Sequence, residues 1–377
     1  MLSKINRQNL RILVARPDRV GDVVLSTPIY HTLKQSLKNC YVGALVSPYT
    51  APLLTGNPYI DAVITDDPGR AGVAGDSFMR KRKEIASHKF DAALLLMPTK
   101  RHAYMLFLAG IPYRIGVGHI LYEVITLTHG VSRHKYVPLR HESDYMLDLA
   151  RKIVPRKKGE VQDVWTKPEI FLADEEKEGA RDFLVKNGFD LTKPVVCIHP
   201  GSGHSSPNWE AGRYAELADV ISDTGIQVLV TGSESERAFE KAFISGNGHG
   251  ARTTFGELSL RELAAVISQT AVFVSASTGP MHIAAAVGTR TVSMFCPLPA
   301  CSPKLWGPVG SAARIVLPPD DFCRTKCPGD PHLCTFQIGV EGIRVKTVYD
   351  EITGFLNESE VQHSKDTSNG YSASNRK

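Results

Sequence analysis

Short apolar runs alternate with helical stretches along the first part of the chain. Residues 11–15 form an apolar run that predicts a buried strand, and residues 23–37 carry apolar side chains at helical spacing. Further strand-like runs follow at 41–46, 62–65 and 92–96. Because strands separated by helices usually pair in parallel beneath helices on both faces, this pattern predicts a doubly wound α/β sheet.

A second series of the same kind begins at the apolar run 195–198. A helix is predicted over 211–222, and strands are predicted at 228–231 and 272–274. The chain is therefore predicted to contain two doubly wound halves.

The two halves are expected to meet in a linker. Residues 151–159 are basic and are interrupted by proline and glycine, which is typical of a connecting segment. We therefore assign residues 1–160 to an N-terminal domain and residues 161–356 to a C-terminal domain. Residues 357–377 are mostly polar and are predicted to form a disordered tail.

The composition is that of a globular protein. The chain has 377 residues, of which 42% are hydrophobic and 22% are charged, and this length suits about two domains. No apolar run is long enough for a membrane span, and the first ten residues lack the apolar core of a signal peptide, so we expect a cytoplasmic protein. The formal charge of +5 suits anionic ligands or an anionic membrane surface without requiring either.

The seven cysteines are expected to be reduced in this compartment. Cys323, Cys327 and Cys334 form a C-x3-C-x6-C cluster with His332 between the last two. Three thiolates and a histidine could bind zinc, but the spacing is not that of a standard zinc ribbon or finger, and a loop with redox-labile thiols is favoured. The other four lie in or beside apolar segments and are interpreted as packing residues: Cys40, Cys197, Cys296 and Cys301.

The stretch 271–297 carries the strongest functional signal. Its strand-like run 271–274 is followed by a turn of small polar residues and then by a helix. The turn would place backbone N–H groups and the hydroxyls of Ser277 and Thr278 at a helix N-terminus, where the helix dipole favours a diphosphate or another anion. His282 lies about one turn into this helix, although an ordinary helix cap with a packed histidine fits these residues equally well.

Three further loops follow strands and open helices, where open α/β sheets bind ligands. In the loop 16–22, Gly21 permits close backbone approach, and Asp22 would either face a ligand or complement the helix N-terminus. The loop 199–209 is rich in glycine and hydroxyls and could wrap phosphate, but it matches neither the dinucleotide fingerprint nor the Walker loop. Carboxylates in the loop 231–236 could bind ribose hydroxyls.

Taken together, these loops resemble glycosyltransferase family 9, the heptosyltransferases of lipopolysaccharide core assembly. The resemblance covers about residues 10–355 and rests on the order and spacing of several motifs. These motifs are Arg11-Ile-Leu-Val14 with Gly21-Asp22 and Thr27-Pro28; Asn57-Pro-Tyr-Ile-Asp61; Ala109-Gly-Ile-Pro-Tyr-Arg-Ile-Gly116; His199-Pro-Gly-Ser-Gly203 with Trp209; Thr278-Gly-Pro-Met-His-Ile-Ala-Ala-Ala286; and Trp306-Gly-Pro308.

The resemblance implies a GT-B fold, in which two Rossmann-like domains face each other across a cleft. It implies that the N-terminal domain binds the acceptor and that the C-terminal domain binds the donor ADP-heptose. It also implies inversion at the anomeric carbon, with no essential metal or other cofactor. Asp22 matches the family's catalytic base, which takes a proton from the attacking hydroxyl.

The resemblance also implies a set of donor-binding residues in the C-terminal half. The positions that match the family's diphosphate site are Gly201, Ser202, Gly203, Thr278, Gly279 and His282. Glu234 or Glu236 matches the ribose contact, and Leu258 matches the position against adenine.

The chain departs from the family pattern at two donor-side positions. Ser277 stands where the family usually has an aspartate that contacts the donor sugar, which leaves the identity of that sugar open. Pro207 stands where the family often has a basic residue near the phosphates, two residues before Trp209, which we interpret as a core anchor. Basic side chains that could replace it are Arg16, Arg19, His204 and Arg213.

Basic residues of the N-terminal half are candidates for binding phosphorylated or carboxylated inner-core sugars. They are Lys100, Arg101, Arg114, Arg133, His134 and Lys135. The run Arg80–Lys83 is interpreted instead as a solvated or membrane-facing patch. At about 1 kcal/mol per basic residue near an anionic leaflet, such a patch could hold the protein reversibly at the inner membrane.

Three interpretations compete. The favoured one is a family 9 transferase that acts on a lipopolysaccharide core or a related envelope glycan. The second is a transferase-like protein that binds a nucleotide or glycan without turnover, since two polar side chains of the family are absent. The third is a dinucleotide-dependent oxidoreductase or an unrelated α/β protein, and the missing G-x-G-x-x-G motif counts against the oxidoreductase.

Overall fold

The computed structural model of the chain describes residues 8–69, 74–116, 120–131, 139–154, 167–203, 205–245, 250–310, 312–330, 333–336 and 342–358. Contacts within the chain divide it into two compact units. Unit 1 comprises Met1–Ala173 with Lys304–Gly310, and unit 2 comprises Asp174–Pro303 with Ser311–Lys377. The predicted domain boundary at residue 160 lies outside the described residues and stays a prediction.

Unit 1 contains a six-stranded parallel sheet of order β3-β2-β1-β4-β5-β6. Its elements are β1 (Arg11–Ala15), α1 (Val20–Ser36), β2 (Tyr41–Val46), β3 (Ala62–Thr65), α2 (Phe78–Ser87), β4 (Ala92–Leu95), α3 (Lys100–Leu108), β5 (Tyr113–Gly116), α4 (Leu121–Ile125), β6 (His129–Gly130) and α5 (Glu142–Ile153). A short 3-10 helix, Ala51–Leu54, follows β2.

Apolar side chains cover both faces of the central strand β1. Ile12 and Val14 belong to one buried cluster, and Leu13 and Ala15 belong to another. Because successive side chains of a strand point to opposite faces, this division places a core on each side of the sheet. The continuous apolar run of β1 is the signature of such a strand, and the prediction of a doubly wound sheet is confirmed.

Helix α1 follows β1 and contains Pro28 in its interior. Proline has no N–H group to donate to the carbonyl of Val24, four residues earlier. The hydroxyl of Thr27 donates to that carbonyl instead, at 2.8 Å. Thr27, which the sequence showed only as part of a motif with Pro28, thus supplies the hydrogen bond that the proline cannot make.

Helix α5 overlaps the predicted linker. Its last turn contains Arg151 and Lys152, and Ile153 and Val154 are buried in the core of unit 1. The linker prediction is therefore wrong for residues 151–154. The helix dipole favours basic residues in a last helical turn. In the sequence, such residues cannot be told apart from a basic linker.

The motif Trp306-Gly-Pro308 belongs to unit 1. Trp306 packs against the same core cluster as Ile153. The ring nitrogen Nε2 of His141 lies 2.9 Å from the carbonyl oxygen of Gly307. This motif therefore has a packing role in unit 1, far along the chain from the rest of that unit.

Unit 2 contains a second six-stranded parallel sheet, of order β12-β11-β10-β7-β8-β9. Its elements are α6 (Asp174–Lys186), β7 (Val195–His199), α7 (Ala211–Ser222), β8 (Gln227–Gly232), α8 (Glu240–Ser245), β9 (Ala251–Phe255), α9 (Leu260–Ser268), β10 (Val272–Ala276), α10 (Gly279–Ala286), β11 (Arg290–Met294), β12 (Ala313–Val316) and α12 (Asp320–Lys326). The short helix α11 (Pro303–Trp306) spans the point where the two units divide the chain. Short 3-10 helices lie at Glu234–Phe239 and Pro299–Cys301.

A final helix, α13, spans residues 345–358. It includes 357 and 358, so the predicted tail is wrong for these two residues, and residues 359–377 lie outside the described part of the chain. Val348, Ile352 and Phe355 of this helix pack into the core of unit 2, which explains its order. No helix among the described residues is long and apolar enough to cross a membrane.

Trp209 is a core anchor, as predicted. Its side chain is 2% exposed and packs edge-on against Tyr214, with ring centroids 5.4 Å apart. The indole Nε1 donates to the carbonyl of Ile343 at 3.1 Å. This contact fixes the end of the loop 199–209 to the core of unit 2.

Candidate functional site

A buried arginine lies at the carboxyl end of β1 in unit 1. Arg16 is 4% exposed, and its Nη1 donates to the carbonyl of Leu96 at 3.0 Å. Its Nε lies 3.0 Å from Oδ1 of Asp18, its Nη2 donates to Oδ1 of Asp22, and the same Nη2 lies 4.0 Å from Oε1 of Glu142. Three carboxylates therefore share one guanidinium, and we call these four residues the arginine cluster.

Asp22 lies in the first turn of α1. Its Oδ1 binds the side chain of Arg16, and the helix cap position is occupied by Arg19. Asp22 is thus held by an ion pair rather than serving as the N-cap of the helix. Its side chain remains 14% exposed, and because Oδ1 binds Arg16, Oδ2 is the oxygen that could take a proton from a ligand.

The sequence analysis did not identify Asp18 as a candidate site residue. Burial raises the pKa of this carboxyl to about 7, the charges of Asp22 and Glu142 act in the same direction, and Arg16 opposes them. The arginine cluster can therefore exchange a proton near neutral pH. The spacing of Arg16, Asp18 and Asp22 was visible after β1, but Glu142 is far along the chain and no local signal points to it.

In unit 2, the fold brings two of the predicted loops together. Strands β7 and β10 are neighbours, with His199 opposite Ser275, so the loops that follow them begin side by side. The hydroxyls of Ser205 and Ser206 donate to the carbonyl of Ser277 at 3.1 and 2.8 Å. This tie joins the glycine-rich loop to the N-terminus of α10.

The N-terminus of α10 has the features of an anion site. Thr278 occupies the cap position but makes no side-chain cap hydrogen bond, so its hydroxyl is not used in closing the helix. Ser277 and Gly279 are half-buried, whereas Thr278 and His282 are buried. The first N–H groups of an eight-residue helix, together with these hydroxyls, can bind phosphate oxygens.

The two candidate carboxylates after β8 have different roles in the structure. Glu236 accepts hydrogen bonds from the N–H and hydroxyl of Ser233 at 2.9 and 2.8 Å, which forms a capping box. Its Oε2 also lies 3.7 Å from Nε2 of His199, whose pKa is lowered by burial. A Cβ at Gly201 would displace the Glu236 carboxylate, so this glycine lets the carboxylate lie against the loop 199–209.

Glu234 is more accessible. Its side chain is 72% exposed and pairs with Arg237 at 2.6 Å. Its Oε2 lies where a Cβ of Gly256 would fall, and Gly256 has a positive φ of 74°. Leu258, two residues further on, is half-buried. Glu234 and the loop that contains Leu258 therefore lie close together at the ends of β8 and β9.

The acceptor candidates of unit 1 differ in accessibility. Lys100 is exposed at the start of α3. Arg101 is half-buried and binds both oxygens of Asp66, each at 2.7 Å. Burial raises the pKa of the Asp66 carboxyl, but the hydrogen bonds from Arg101 and His102 outweigh it and hold that pKa well below the usual range. Arg101 thus has a structural partner, and Lys100 is the more available cation.

Arg114 is not available to an acceptor. It is 6% exposed, and its guanidinium donates to the carbonyls of Ile111 and Thr126. The prediction of an acceptor contact at Arg114 is corrected on this ground, because a buried guanidinium with backbone partners supports the fold. Three further candidates lie outside the described residues: Arg133, His134 and Lys135.

The basic run Arg80–Lys83 is only partly solvated. Lys81 is 7% exposed and pairs with Glu84 at 3.0 Å, so the interpretation of this run as a solvated patch is wrong for this residue. Lys81 and Ile85 form the buried face of α2, one helical turn apart. Arg80 and Lys83 are exposed, as predicted.

Two of the described candidates that could replace the basic side chain absent at Pro207 have other partners. Pro207 itself is buried. Arg16 belongs to the arginine cluster of unit 1, and Arg213 pairs with Glu216 at 3.0 Å on α7. Arg19 is exposed, and His204 lies outside the described residues.

The described residues contain no group of three His, Cys, Asp or Glu side chains arranged to hold a metal ion. The zinc hypothesis also involves His332, which lies outside the described residues. Cys40, Cys197 and Cys296 are buried, which confirms their packing role. Cys301 is half-buried, and its hydrogen bond with Cys296 lowers the pKa of the Cys301 thiol to about 7.

Comparison with known proteins places this geometry in context. The chain matches the model of glycosyltransferase family 9 (heptosyltransferase) over residues 78–327. It is similar to lipopolysaccharide heptosyltransferase 2 of Salmonella typhimurium, with 25% identity over 322 residues that cover 81% of this chain and 88% of that protein.

Two solved structures have the same fold. The family 9 glycosyl transferase of Veillonella parvula aligns with a TM-score of 0.78 and 20% identity, over 94% of this chain and 99% of that one. The E. coli ADP-heptose lipopolysaccharide heptosyltransferase II aligns with a TM-score of 0.73 and 21% identity, over 93% of this chain and 100% of that one. These likenesses confirm the predicted GT-B fold class.

We predict that the stability of the fold depends on pH because Asp18 titrates. The folded state raises the pKa of this carboxyl above its unfolded value, so its contribution is full below about pH 4 and is lost as pH rises through about 7. Asp18→Asn cannot ionise. We would measure the free energy of unfolding in urea at pH 5 and at pH 8. The difference between variant and wild type should shift in favour of the variant from pH 5 to pH 8, by on the order of 1 kcal/mol or more.

Asp321→Asn removes an exposed carboxylate of unit 2 and serves as the control, because it tests the effect of one surface charge. If the stability difference between wild type and Asp18→Asn is the same at both pH values, Asp18 does not titrate as a buried member of the cluster.

Proposed function

Because the chain belongs to glycosyltransferase family 9, we propose that it transfers a sugar from a nucleotide-sugar donor to a lipopolysaccharide core or a related envelope glycan. The proposed donor is ADP-heptose, which is the donor named for the E. coli structure of the same fold. The acceptor class follows the name of the Salmonella relative. The observation that carries the proposal is the pair of tied loops at the N-terminus of α10, together with an accessible carboxylate in unit 1.

We propose that the diphosphate of the donor binds Gly201–Gly203 and the N-terminus of α10. The backbone N–H groups and the Thr278 hydroxyl would bind its oxygens, and the helix dipole would stabilise the charge that develops as it leaves. His282 lies on the same helix and is buried within its first turns. This arrangement would do the work that a divalent metal does elsewhere, so the proposed reaction needs no metal.

For the nucleoside, we propose Glu234 as the ribose contact and Leu258 as the contact with adenine. We assign Glu236 to capping rather than to the ribose, since it accepts hydrogen bonds from the N–H and hydroxyl of Ser233. Glu234 is exposed and lies against Gly256. Gly256 is two residues before Leu258 in the sequence. A ribose bound there would share Glu234 with Arg237, its present partner.

We propose that Asp22 is the general base. As the acceptor oxygen forms its bond to the anomeric carbon, Oδ2 would take the hydroxyl proton, and the bond to the diphosphate oxygen would break with its electron pair. A direct displacement of this kind inverts the anomeric configuration. Arg16 would hold Asp22 in the orientation required, since it binds Oδ1 and leaves Oδ2 to the substrate.

A second candidate function is binding of a nucleotide or glycan without turnover. It is favoured by Ser277 and Pro207, which replace two polar side chains of the family pattern. The two functions make different predictions for product release, because only a transferase releases the nucleotide in response to an acceptor.

The proposed function predicts that nucleotide release depends on both substrates. The purified protein would be incubated with ADP-heptose and other nucleotide sugars, with and without lipopolysaccharide-core glycolipid, and released nucleotide would be measured. We expect acceptor-dependent release that persists in EDTA. Donor binding without release would support the second candidate, and release that needs added magnesium would contradict the metal-independent mechanism.

We predict that Ser277 takes part in selecting the donor sugar. A serine hydroxyl is shorter than an aspartate and uncharged, so it would give the sugar a weaker hydrogen bond or one through water. Ser277→Asp should therefore change the ranking of donors in the same assay. Ser277→Ala is the matched control and should cost at most about 1–2 kcal/mol of binding, the scale of one neutral hydrogen bond with its desolvation.

If neither variant changes donor ranking or affinity, Ser277 has no part in sugar selection. Because its carbonyl, rather than its side chain, ties the two loops, both variants leave that tie in place.

A further inference from the structure

Unit 1 exposes a group of large apolar side chains on α3, α4 and the turns beside them. We call it the apolar patch, and α4 with its flanking residues contributes most of it. Leu121 is 73% exposed, Leu127 is 69% exposed and Val124 is 61% exposed. The remaining members are Phe107, Leu108, Ile120 and Ile125. A large exposed apolar surface of this kind is typical of an interaction site.

Helix α4 is inverted relative to an ordinary surface helix. Its polar residues face unit 1: Glu123 is 1% exposed, and the Tyr122 hydroxyl donates to the carbonyl of Pro98 at 2.9 Å. Thr126, at its end, is fully buried, and its hydroxyl donates to the carbonyl of Tyr122 at 2.8 Å. The Tyr122 hydroxyl ties the helix to the unit, and Glu123 and Thr126 are buried on its inner side, which leaves the aliphatic side chains on the outside.

Arg114 holds the apolar patch in this arrangement. Its guanidinium donates to the carbonyl of Thr126 at 3.1 and 2.9 Å, from Nε and Nη2, and also to the carbonyl of Ile111. The same guanidinium lies 5.1 Å from the ring centroid of Phe107, a member of the patch. The exposed aliphatic face is therefore built on buried hydrogen bonds rather than on a frayed end.

Basic side chains flank the apolar patch. Helix α2 packs against α3, and α3 packs against α4. Nη1 of Arg82 donates to the carbonyl of Leu108 at 3.1 Å, which fixes α2 beside the patch. Lys83 on α2 and Lys100 at the start of α3 are exposed.

We propose that the apolar patch and its basic flank dock on the surface of an anionic lipid bilayer. Aliphatic side chains enter the boundary between head groups and acyl chains, and lysine and arginine bind anionic head groups at the same depth. The charge selects this occupant, because the exposed lysines beside the apolar patch complement anionic head groups. The proposal extends the proposed function, since it places a lipid-linked acceptor at unit 1.

The test measures binding to vesicles without donor or acceptor. The full chain would be sedimented with vesicles of phosphatidylcholine alone and with an equal mixture of phosphatidylcholine and phosphatidylglycerol. We expect binding to the mixed vesicles only. The double variant Leu121→Asp with Ile125→Asp should weaken it at least tenfold, and Lys83→Gln should weaken it about fivefold.

The matched control is Val185→Asp with Ile244→Asp, which places the same charges at aliphatic residues of unit 2 that are 55% and 69% exposed. It should bind the mixed vesicles as the wild type does. Circular dichroism and thermal unfolding would verify that both double variants are folded. Normal vesicle binding by the Leu121 and Ile125 variant, or equal binding to both kinds of vesicle, would overturn the proposal.

Two further measurements separate this proposal from its alternatives. Light scattering would detect a dimer, and a dimer that the patch variant disrupts, without vesicle binding by the wild type, would assign the surface to a protein contact and overturn the proposal. A delipidated core glycan should be glycosylated equally well by wild type and patch variant. A patch variant that transfers poorly to this soluble glycan would overturn the assignment to lipid, whereas failure of both proteins would contradict the proposed function instead.

Discussion

The ion pair between Arg16 and Asp22 is the interaction on which the proposed chemistry of unit 1 depends. A carboxylate that serves as a base must be accessible to the substrate and held in one orientation, and these two needs conflict at a flexible surface side chain. The fold reconciles them because Arg16 is buried at the end of β1 and binds only one oxygen of Asp22. A buried guanidinium is costly unless it is paired, and Asp22 supplies that pairing, with the Glu142 carboxylate 4.0 Å away.

The proposed donor site depends on the geometry of parallel sheets. Adjacent strands β7 and β10 end at the same edge, so their following loops meet without a long connection. Hydroxyls of the first loop then bind the backbone of Ser277 in the second. The contacts that join the two loops run from serine hydroxyls to a backbone carbonyl, so they depend neither on an acidic side chain at position 277 nor on a basic one at position 207.

The sequence predicted the parts of the molecule that depend on local pattern. The strands β1, β2 and β3 have the predicted bounds because continuous apolar runs between turns have few other interpretations, and α7 was predicted for its helical spacing. The glycine-rich loop and the start of α10 were predicted because glycine and hydroxyl-bearing residues directly follow apolar runs. What failed was the environment of individual charges. Lys81 and Arg114 have the composition of surface cations, yet tertiary packing buries both, and no local pattern shows it.

Long-range partners were equally hidden. Glu142 approaches Arg16 only because α5 packs on α1, and the exposure of α4 was not predictable because its apolar residues suggest burial. The hydrogen bonds from Arg114 to the carbonyl of Thr126 and from the Tyr122 hydroxyl to the carbonyl of Pro98 fix the orientation of α4. A polar residue that is satisfied in the interior can thus reverse the face that hydrophobicity alone would bury.

The most direct test of the central claim is a double-mutant cycle on kcat with Arg16→Lys and Asp22→Asn. Lysine keeps the charge and loses the planar fork, and asparagine keeps the shape and cannot take the proton. If Arg16 acts by orienting the base, Asp22→Asn should lower kcat about 10²- to 10⁴-fold, and Arg16→Lys should lower it about tenfold alone but have little further effect in the Asp22→Asn background. Near-normal turnover of Asp22→Asn, or losses that simply multiply in the double variant, would contradict the account.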